Sequence, residues 1–343
     1  MTAVSADGNR VWSIGFGITV YALLKVAYDA NSATNGIIPF DSNSYWQGAT
    51  VAVLDNAGEL SKDGYSFADW NTKSDGSALS YQAGSSFTMG SSNVSLYAKW
   101  IILSYGLFAT SGNWYGQFGN GTNSNRSTPV KVMKNVQSVS VAHYHTMILK
   151  SDGSLWATGY NSYGQLGDGT KIDRSTPVKV MENVQSVSAG YCHTMILKND
   201  GSLWATGYNG SGQLGDGTNN IIRLTAVKVM ENVHSVSAGG YHTMILKNDG
   251  SLWATGRNDY GQLGDGTNSS RSTPIKVMEN VQSVSAGEYH TMILKNDGSL
   301  WATGNNSFGE LGDGTNNSKS TPVKVMENVQ SVSAGYNHTM ILH

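Results

Sequence analysis

Short segments in which apolar and polar residues alternate run through most of this chain. SVSAG alternates with period two, and it is followed by HTMILK, a six-residue run without glycine or proline. SLWATG and TPVKVM complete a group of four short segments, and Asn-Asp-Gly separates the second segment from the third. Alternation and short apolar runs bounded by Gly, Asn and Asp predict β-strands joined by tight turns. We therefore predict an all-β protein.

This group of four segments is repeated in the second part of the chain. The tryptophan of SLWATG recurs at spacings of 48 or 49 residues, and a degenerate first copy has Phe108 in its place. The histidine that opens HTMIL has the same spacings and is found at His145, His193, His242, His290 and His338. Four strands in about 48 residues are the content of one propeller blade. The five copies therefore predict an all-β propeller of about five four-stranded blades. Its core should include Trp156, Trp204, Trp253 and Trp301.

The two ends of the array carry complementary halves of a repeat. The first copy begins with GLFATS around Phe108, and the last segment is HTMIL from His338. We expect these two strands to pair in one composite blade, because closure removes exposed sheet edges. An alternative comes from residues 13–25, SIGFGITVYALLK, which align without gaps to the final SVSAGYNHTMILH. In that arrangement residues 1–25 supply strands of a blade that a small module interrupts.

Composition and charge exclude several classes of protein. Lys and Arg number 22 and Asp and Glu 24, so the formal net charge is −2. Binding to a nucleic-acid backbone needs a basic patch, so we expect no nucleic-acid partner. The single cysteine, Cys192, excludes an internal disulfide and a cysteine-based zinc site. The longest apolar run, residues 11–24, is too short to span a bilayer as a helix, and Asp7 makes it a poor signal peptide.

The repeat from Ala189 to Thr218, AGYCHTMILKNDGSLWATGYNGSGQLGDGT, resembles that of the regulator of chromosome condensation family. That family includes bacterial members such as β-lactamase inhibitor protein II. The resemblance covers residues 101–343, and it implies a β-propeller of four-stranded blades closed by the chain ends. Family propellers generally have seven blades, whereas this chain supplies five. The ring is therefore smaller, or the chain is part of a longer array.

Residues 26–100 resemble the internalin-B repeat of bacterial surface proteins. The matching positions are Tyr28, Asp29, Asn31, Gly36, Gly64, Tyr65, Phe67, Trp70, Asn71, Gly76, Tyr81, Gly84, Phe87, Tyr97, Ala98 and Trp100. Asp69 stands where the pattern usually has glycine. The resemblance implies a small β-grasp-like module of the kind found in extracellular stalks and adhesins. The alternation in VAVL and VSLYAKW agrees with such a module.

The repeated histidines and aspartates are metal-ligand types, but their spacing disfavours a metal site. Zinc needs three or four ligands converging at about 2.1 Å, and a propeller spreads equivalent residues around its axis. We therefore interpret each repeated imidazole as hydrogen-bonded to neighbouring backbone. Calcium takes six to eight oxygens, whereas each LGDGT turn offers one carboxylate. We interpret these carboxylates as turn caps: Asp168, Asp216, Asp265 and Asp313.

Catalytic acids would stand outside the repeat pattern, because an active site is unique. The off-pattern acids are Asp173, Asp259, Glu288 and Glu310. The sequence contains no nucleophile-elbow, zinc-protease or phosphate-loop string. We predict that the chain is not an enzyme, and that it has no catalytic residues, no cofactor and no metal.

Variation between the copies is concentrated in two loops, one before HTMIL and one after WATG. Tyr, Asn, Ser and Gly with an occasional Trp or Arg are typical of binding loops, because aromatic rings give contact area at low entropy cost. Neutral drift at exposed loops is the alternative. The candidate binding residues are Tyr160, Tyr163, Tyr191, Tyr208, Tyr241, Arg257, Tyr260, Tyr289, Phe308 and Tyr336.

Together these features predict a bacterial cell-surface or secreted recognition protein. One alternative is that the chain is part of a longer surface protein. Residues 1–25 form an N-terminal segment, residues 26–100 the small module, and residues 101–343 the propeller. The partner is a protein or a glycan. One alternative is a hydrolase or lyase that holds a sugar chain on the propeller. Another is a nucleotide-exchange or other regulatory factor, which the low content of basic residues disfavours.

Overall fold

The computed structural model describes residues 3–4, 10–14, 17–102, 106–218 and 220–343. It divides the chain into two compact units, Met1–Ser104 and Tyr105–His343. Every regular element in these described ranges is a β-strand. The prediction of an all-β protein is confirmed.

The first unit contains three small sheets. Its strands are β1 (Ala3–Val4), β2 (Arg10–Ile14), β3 (Gly17–Tyr21), β4 (Val26–Asp29), β5 (Thr50–Ala52), β6 (Tyr65–Asn71), β7 (Ser80–Tyr81), β8 (Ser86–Thr88) and β9 (Val94–Ile102). The largest sheet has the order β4-β9-β6-β7, with β4 parallel to β9 and the other neighbours antiparallel. Trp70, Leu96 and Val51 are fully buried in the core, and Trp70 Nε1 donates to the Leu54 carbonyl at 3.0 Å.

The strand register near residue 20 differs from the one that the interrupted-blade alternative requires. That alignment places Ser13 opposite Leu24, as Ser331 lies opposite Leu342 in the last repeat. Instead Ser13 pairs with Ile18, and Leu24 forms a bridge with Tyr45. The short connection between β2 and β3 fixes this earlier pairing, because loop length sets hairpin register.

The second unit contains four complete four-stranded sheets and a two-stranded sheet at each end. Its strands are β10 (Leu107–Ser111), β11 (Arg126–Met133), β12 (Val136–Val141), β13 (His145–Lys150), β14 (Leu155–Gly159), β15 (Arg174–Met181), β16 (Val184–Ala189), β17 (His193–Lys198), β18 (Leu203–Tyr208), β19 (Ile222–Met230), β20 (Val233–Ala238), β21 (His242–Lys247), β22 (Leu252–Gly256), β23 (Arg271–Met278), β24 (Val281–Ala286), β25 (His290–Lys295), β26 (Leu300–Gly304), β27 (Lys319–Met326), β28 (Ser331–Ala334) and β29 (Thr339–Leu342). Each complete sheet runs antiparallel in sequence order, beginning with β12-β13-β14-β15. The predicted blade is confirmed.

Turn chemistry and packing explain why the repeat folds in this way. Between β17 and β18, Gly201 has a φ of 78°, and Ser202 N–H donates to Asp200 Oδ1 at 2.9 Å. Glycine adopts this left-handed conformation without a steric penalty, so it favours the hairpin. In the four complete sheets both faces of the second strand are buried, because neighbouring sheets cover them. In β17, for instance, Met195 and Ile196 belong to the cores on opposite sides of the sheet.

The repeated tryptophans are only partly buried, so their predicted place in the core is wrong. In β18 the fully buried residues are Leu203 and Ala205, which flank Trp204. Trp204 packs at the margin of the core shared with the preceding sheet. Its Nε1 donates to Ser202 Oγ at 2.9 Å, and the ammonium of Lys198 lies 5.9 Å from the ring centroid. The polar edge of the indole keeps the side chain at the rim.

The predicted pairing between the two ends of the array is not formed. β10 pairs with β11, and β29 pairs with β28, in separate two-stranded sheets. Phe108 and Met340, which a composite blade would cover, are 56% and 67% exposed. Complementary segments specify which strands could pair. The rotation between successive sheets, which decides whether the ends meet, is not encoded in that pattern.

Candidate functional site

The two variable loops of each repeat lie side by side at one end of its sheet. His145 pairs with Gly159, so the loop that precedes β13 and the loop that follows β14 meet there. A backbone hydrogen bond of 2.8 Å from Tyr160 N–H to the Tyr144 carbonyl joins them. Equivalent bonds join the two loops in the next three sheets. The repeat therefore gathers its variable residues on one surface.

Aromatic rings on this surface form a continuous network across the repeats. Tyr163 contacts Tyr208 with ring centroids 5.2 Å apart, and Tyr208 contacts Tyr241 at 6.4 Å. Tyr241 also lies 5.5 Å from Tyr191 and 6.4 Å from Tyr289. We call this surface the tyrosine face and define it by Tyr115, His143, Tyr144, Tyr160, Tyr163, Tyr191, Tyr208, Tyr241, Arg257, Tyr260 and Tyr289.

Arg257 is the cation of the tyrosine face. Its guanidinium carbon lies 5.8 Å from the centre of the Tyr241 ring and 5.5 Å from that of Tyr289. Its Nε donates to Asp259 Oδ2 at 2.6 Å. Burial raises the pKa of Tyr241 and Tyr289 to about 12, so both hydroxyls are neutral at physiological pH. The face is therefore aromatic and polar, and its one guanidinium is already paired.

The structure brings eight of the ten predicted binding residues into this network. The other two are Phe308, which is 75% exposed, and Tyr336, which is 59% exposed and lines a central cavity. Sequence reasoning left out Tyr115, His143 and Tyr144, although they occupy the same two loops in the first copies. Their position in the repeat was the signal that could have identified them.

The asparagine at the second position of each loop after WATG is structural, which corrects its interpretation as a residue of a binding loop. Asn161 is fully buried, and its Nδ2 donates to Asp168 Oδ1 at 3.0 Å and to the Thr170 carbonyl at 3.1 Å. Its Oδ1 accepts the Leu166 N–H at 3.0 Å. This side chain is committed to the turn and is not presented to a ligand. The equivalent buried residues are Asn113, Asn209, Asn258 and Asn306.

The aspartates of LGDGT cap their turns, as their position predicts. Asp168 Oδ1 accepts hydrogen bonds from the Thr170 N–H at 3.0 Å and from its hydroxyl at 2.8 Å. Asp168 Oδ2 also pairs with Arg174 at 2.7 Å, a contact that the sequence did not indicate. In the part of the chain that the structure describes, no three potential ligands among His, Cys, Asp and Glu cluster as a metal site would require.

The repeated histidines connect neighbouring sheets. His193 Nε2 lies 3.0 Å from Thr243 Oγ1, and that hydroxyl donates to the Gln213 carbonyl at 2.8 Å. Because a hydroxyl has one proton and that of Thr243 is donated to the Gln213 carbonyl, the imidazole donates from Nε2. Burial lowers the pKa of His193 from 6.5 to about 4. The prediction of a backbone partner is wrong, because a side-chain hydroxyl of the next sheet takes that place.

A central cavity of about 230 Å³ lies where the first strands of five repeats end. The first strand of each repeat ends in the segment SVSAG, which is SVSVA in the first copy. The residue directly after this segment lines the cavity in every repeat: His143, Tyr191, Gly240, Glu288 and Tyr336. Hydrogen bonding to the Glu288 carboxylate and the charge of that group raise the pKa of the Tyr336 hydroxyl. Glu288 was considered in the sequence as an off-pattern acid and not as a binding residue.

Known proteins similar to this chain share its repeat fold. Human WBSCR16 has a TM-score of 0.64 and 22% identity, and the match covers 73% of this chain and 71% of that one. Prp20p from Saccharomyces cerevisiae has a TM-score of 0.59 and 21% identity, and the match covers 65% of this chain and 60% of that one. At these identities the likeness concerns the fold.

Two proteins of the bacterium Evansella cellulosilytica are similar in sequence. One, named "Putative Gly-rich membrane protein", is 32% identical over 127 residues, which are 36% of this chain and 14% of that protein. The other, named "Putative membrane protein", is 37% identical over 76 residues, which are 22% of this chain and 11% of that protein. Among the described residues we find no helix with the length and apolarity to cross a membrane.

Family models match the two parts of the chain separately. Residues 25–99 match the Listeria-Bacteroides repeat domain, and residues 96–343 match the RCC1-like domain. The second match covers well over half of the chain and agrees with its four-stranded repeats. The chain therefore belongs to the RCC1-like domain family, and a Listeria-Bacteroides repeat domain precedes its propeller.

Proposed function

We propose that this chain is a bacterial cell-surface or secreted recognition protein that binds a protein partner on its tyrosine face, without catalysis. The observation that carries the proposal is the continuous ring network over successive repeats. The strands of the repeat are nearly invariant, whereas the loops that supply the rings vary. Variation on an invariant frame favours recognition over a purely structural role.

The chemistry of the face suits a protein partner. Tyrosine offers a large amphipathic contact area and loses little conformational entropy on binding. Neighbouring rings hold one another, as Tyr163 and Tyr208 do at 5.2 Å, so much of the surface is preorganised. The Listeria-Bacteroides repeat and the relatives named as membrane proteins support a place at the bacterial surface. Likeness to Prp20p, a protein with binding properties to Gsp1p and histones, supplies no partner for this chain at 21% identity.

A glycan-cleaving enzyme has less support. Such enzymes use two carboxylates that flank the scissile bond. Asp259 is held by Arg257 at 2.6 Å, so its carboxylate is already engaged. Glu288 lines the cavity, but no second free acid lines it among the described residues. We therefore propose that the chain is not an enzyme.

The proposal is tested by passing a bacterial surface-protein extract over the immobilised chain. A glycan array is probed with the same chain in parallel. We expect a protein to be retained and to lose at least ~30-fold in affinity when Tyr163, Arg257 and Tyr260 are all changed to alanine, because central Tyr and Arg residues dominate interfaces. The control carries Lys179→Ala, Lys228→Ala and Lys276→Ala, at exposed ion pairs on the fourth strands. Equal retention by both triple variants contradicts the proposal. Binding only on the glycan array would assign a glycan instead.

A further inference from the structure

Glu288 gives the central cavity a charge that the repeat pattern does not provide. At the equivalent positions the other repeats have His143, Tyr191, Gly240 and Tyr336. The described lining residues include no lysine or arginine and no other acid. A carboxylate in this cavity therefore has no opposite charge beside it in the lining.

Neighbouring residues make room for Glu288 and bury it. Its side chain lies over Gly240, where an added Cβ would come within 2.7 Å of Glu288 Cγ. At the positions equivalent to Gly240 and Glu288, the other three repeats have His143, Tyr191 and Tyr336. Glu288 is only 9% exposed, so it is more than nine-tenths buried. Gly240 and Glu288 occupy equivalent positions in successive repeats, and together they differ from the aromatic residues found there in the other repeats.

One oxygen of this buried carboxylate has no partner. Glu288 Oε2 accepts no hydrogen bond from any residue that the structure describes. Tyr289 and Tyr336 lie beside this carboxylate. Burial and the charge of Glu288 raise the pKa of Tyr289, and hydrogen bonding to Glu288 raises the pKa of Tyr336. An unpaired buried carboxylate oxygen is unfavourable, and a bound cation or donor would relieve the cost.

We propose that Glu288 and the rings around it bind a primary ammonium group, and that in the protein partner this group is a lysine side chain. The carboxylate supplies the opposite charge, and the rings of Tyr191 and Tyr336, which line the same cavity, are close enough to contact an inserted cation. Arg257 does not serve this role, because its guanidinium pairs with Asp259. The inference rests on the proposed function and names the group that the tyrosine face selects.

The test titrates the full chain with two short capped peptides and measures binding from the chemical shifts of the chain by nuclear magnetic resonance. One peptide contains a single lysine, and the other contains the same lysine acetylated, which removes its charge. At millimolar peptide we expect the lysine peptide to shift the resonances of the cavity residues. Acetylation or Glu288→Gln should weaken this binding about tenfold or more. The matched control, Glu279→Gln, alters an exposed carboxylate that pairs with Lys276.

The outcomes separate this inference from the proposed function. No shift with the lysine peptide, or equal shifts with both peptides, overturns the ammonium site. Unchanged binding to Glu288→Gln does the same. A protein partner that loses affinity for the tyrosine variants but not for Glu288→Gln would overturn the ammonium site and leave the tyrosine face as the binding surface.

Discussion

At the scale of single residues, the buried histidines tie sheet stability to pH. Each of four imidazoles lies inside the propeller, and each Nε2 is bonded to a threonine hydroxyl of the following sheet. Burial lowers the pKa to about 3 for His145 and His242 and to about 4 for His193 and His290. The folded protein therefore keeps these groups neutral at pH values where the unfolded chain protonates them.

Stability should fall as pH decreases below about 6.5, the ordinary pKa of histidine. Between pH 6 and 5 the unfolded chain binds protons that the folded chain does not, so each such histidine contributes up to about 1.4 kcal/mol per pH unit. His193→Gln should remove close to one proton from the slope of unfolding free energy against pH, measured by urea denaturation. His143→Gln, at an exposed histidine, is the control. An unchanged slope in His193→Gln would show that His193 titrates normally in the fold.

At the scale of the element, the hairpins and strands were predictable because their determinants are local. Period-two alternation and the Asp-Gly turns are visible in the sequence, so each complete sheet could be drawn in advance. The partial burial of Trp204 was not predictable, because it depends on which face of the strand packs against the preceding sheet. The buried role of Asn161 was missed for a different reason: its partners lie in the following turn, and the sequence does not show that the asparagine side chain folds back onto them.

Two glycines of one repeat are required for different reasons: Gly201 for its backbone conformation alone, and Gly207 also for the space around it. Gly201 has a φ of 78°, and an added Cβ would meet no clash, because its nearest atoms lie at an ordinary contact distance of 3.9 Å. Gly201→Ala should therefore cost only the conformational penalty, about 1–2 kcal/mol. Gly207 has a φ of 104°, and a Cβ there would lie 2.5 Å from the Cys192 carbonyl oxygen. Gly207→Ala should cost clearly more, about 3 kcal/mol or above, because overpacking adds to the backbone strain. Chemical denaturation of both variants measures the difference, and equal costs would mean that the two loops can separate without penalty.

At the scale of the whole molecule, the sequence predicted the repeat and the position of the variable loops but not the arrangement of the ends. The equivalence of the copies implies that their loops share one end of the sheets, and the ring network agrees. The separate two-stranded sheets at β10 and β29 could not be foreseen, because the rotation between sheets comes from packing at every interface. The cavity at Glu288 likewise depends on two repeats together, since Gly240 creates the space that Glu288 fills.

Binding to the tyrosine face should depend only weakly on salt, because exposed charges on this face are few. The formal net charge is −2, and the repeats place Lys179 beside Glu182 and Arg174 beside Asp168, each pair within 2.7 Å. On the tyrosine face Arg257 pairs with Asp259, and the carboxylate of Glu288 is buried, where salt screens interactions less. Across a tenfold rise in salt we expect the affinity for the captured partner to change by less than about threefold, since charge contacts at exposed rims are the ones that salt weakens. Surface plasmon resonance with the full chain measures this, and the Lys179, Lys228 and Lys276 variant should give the same salt dependence. A steep loss of affinity would place the binding energy in exposed charges rather than in the aromatic rings.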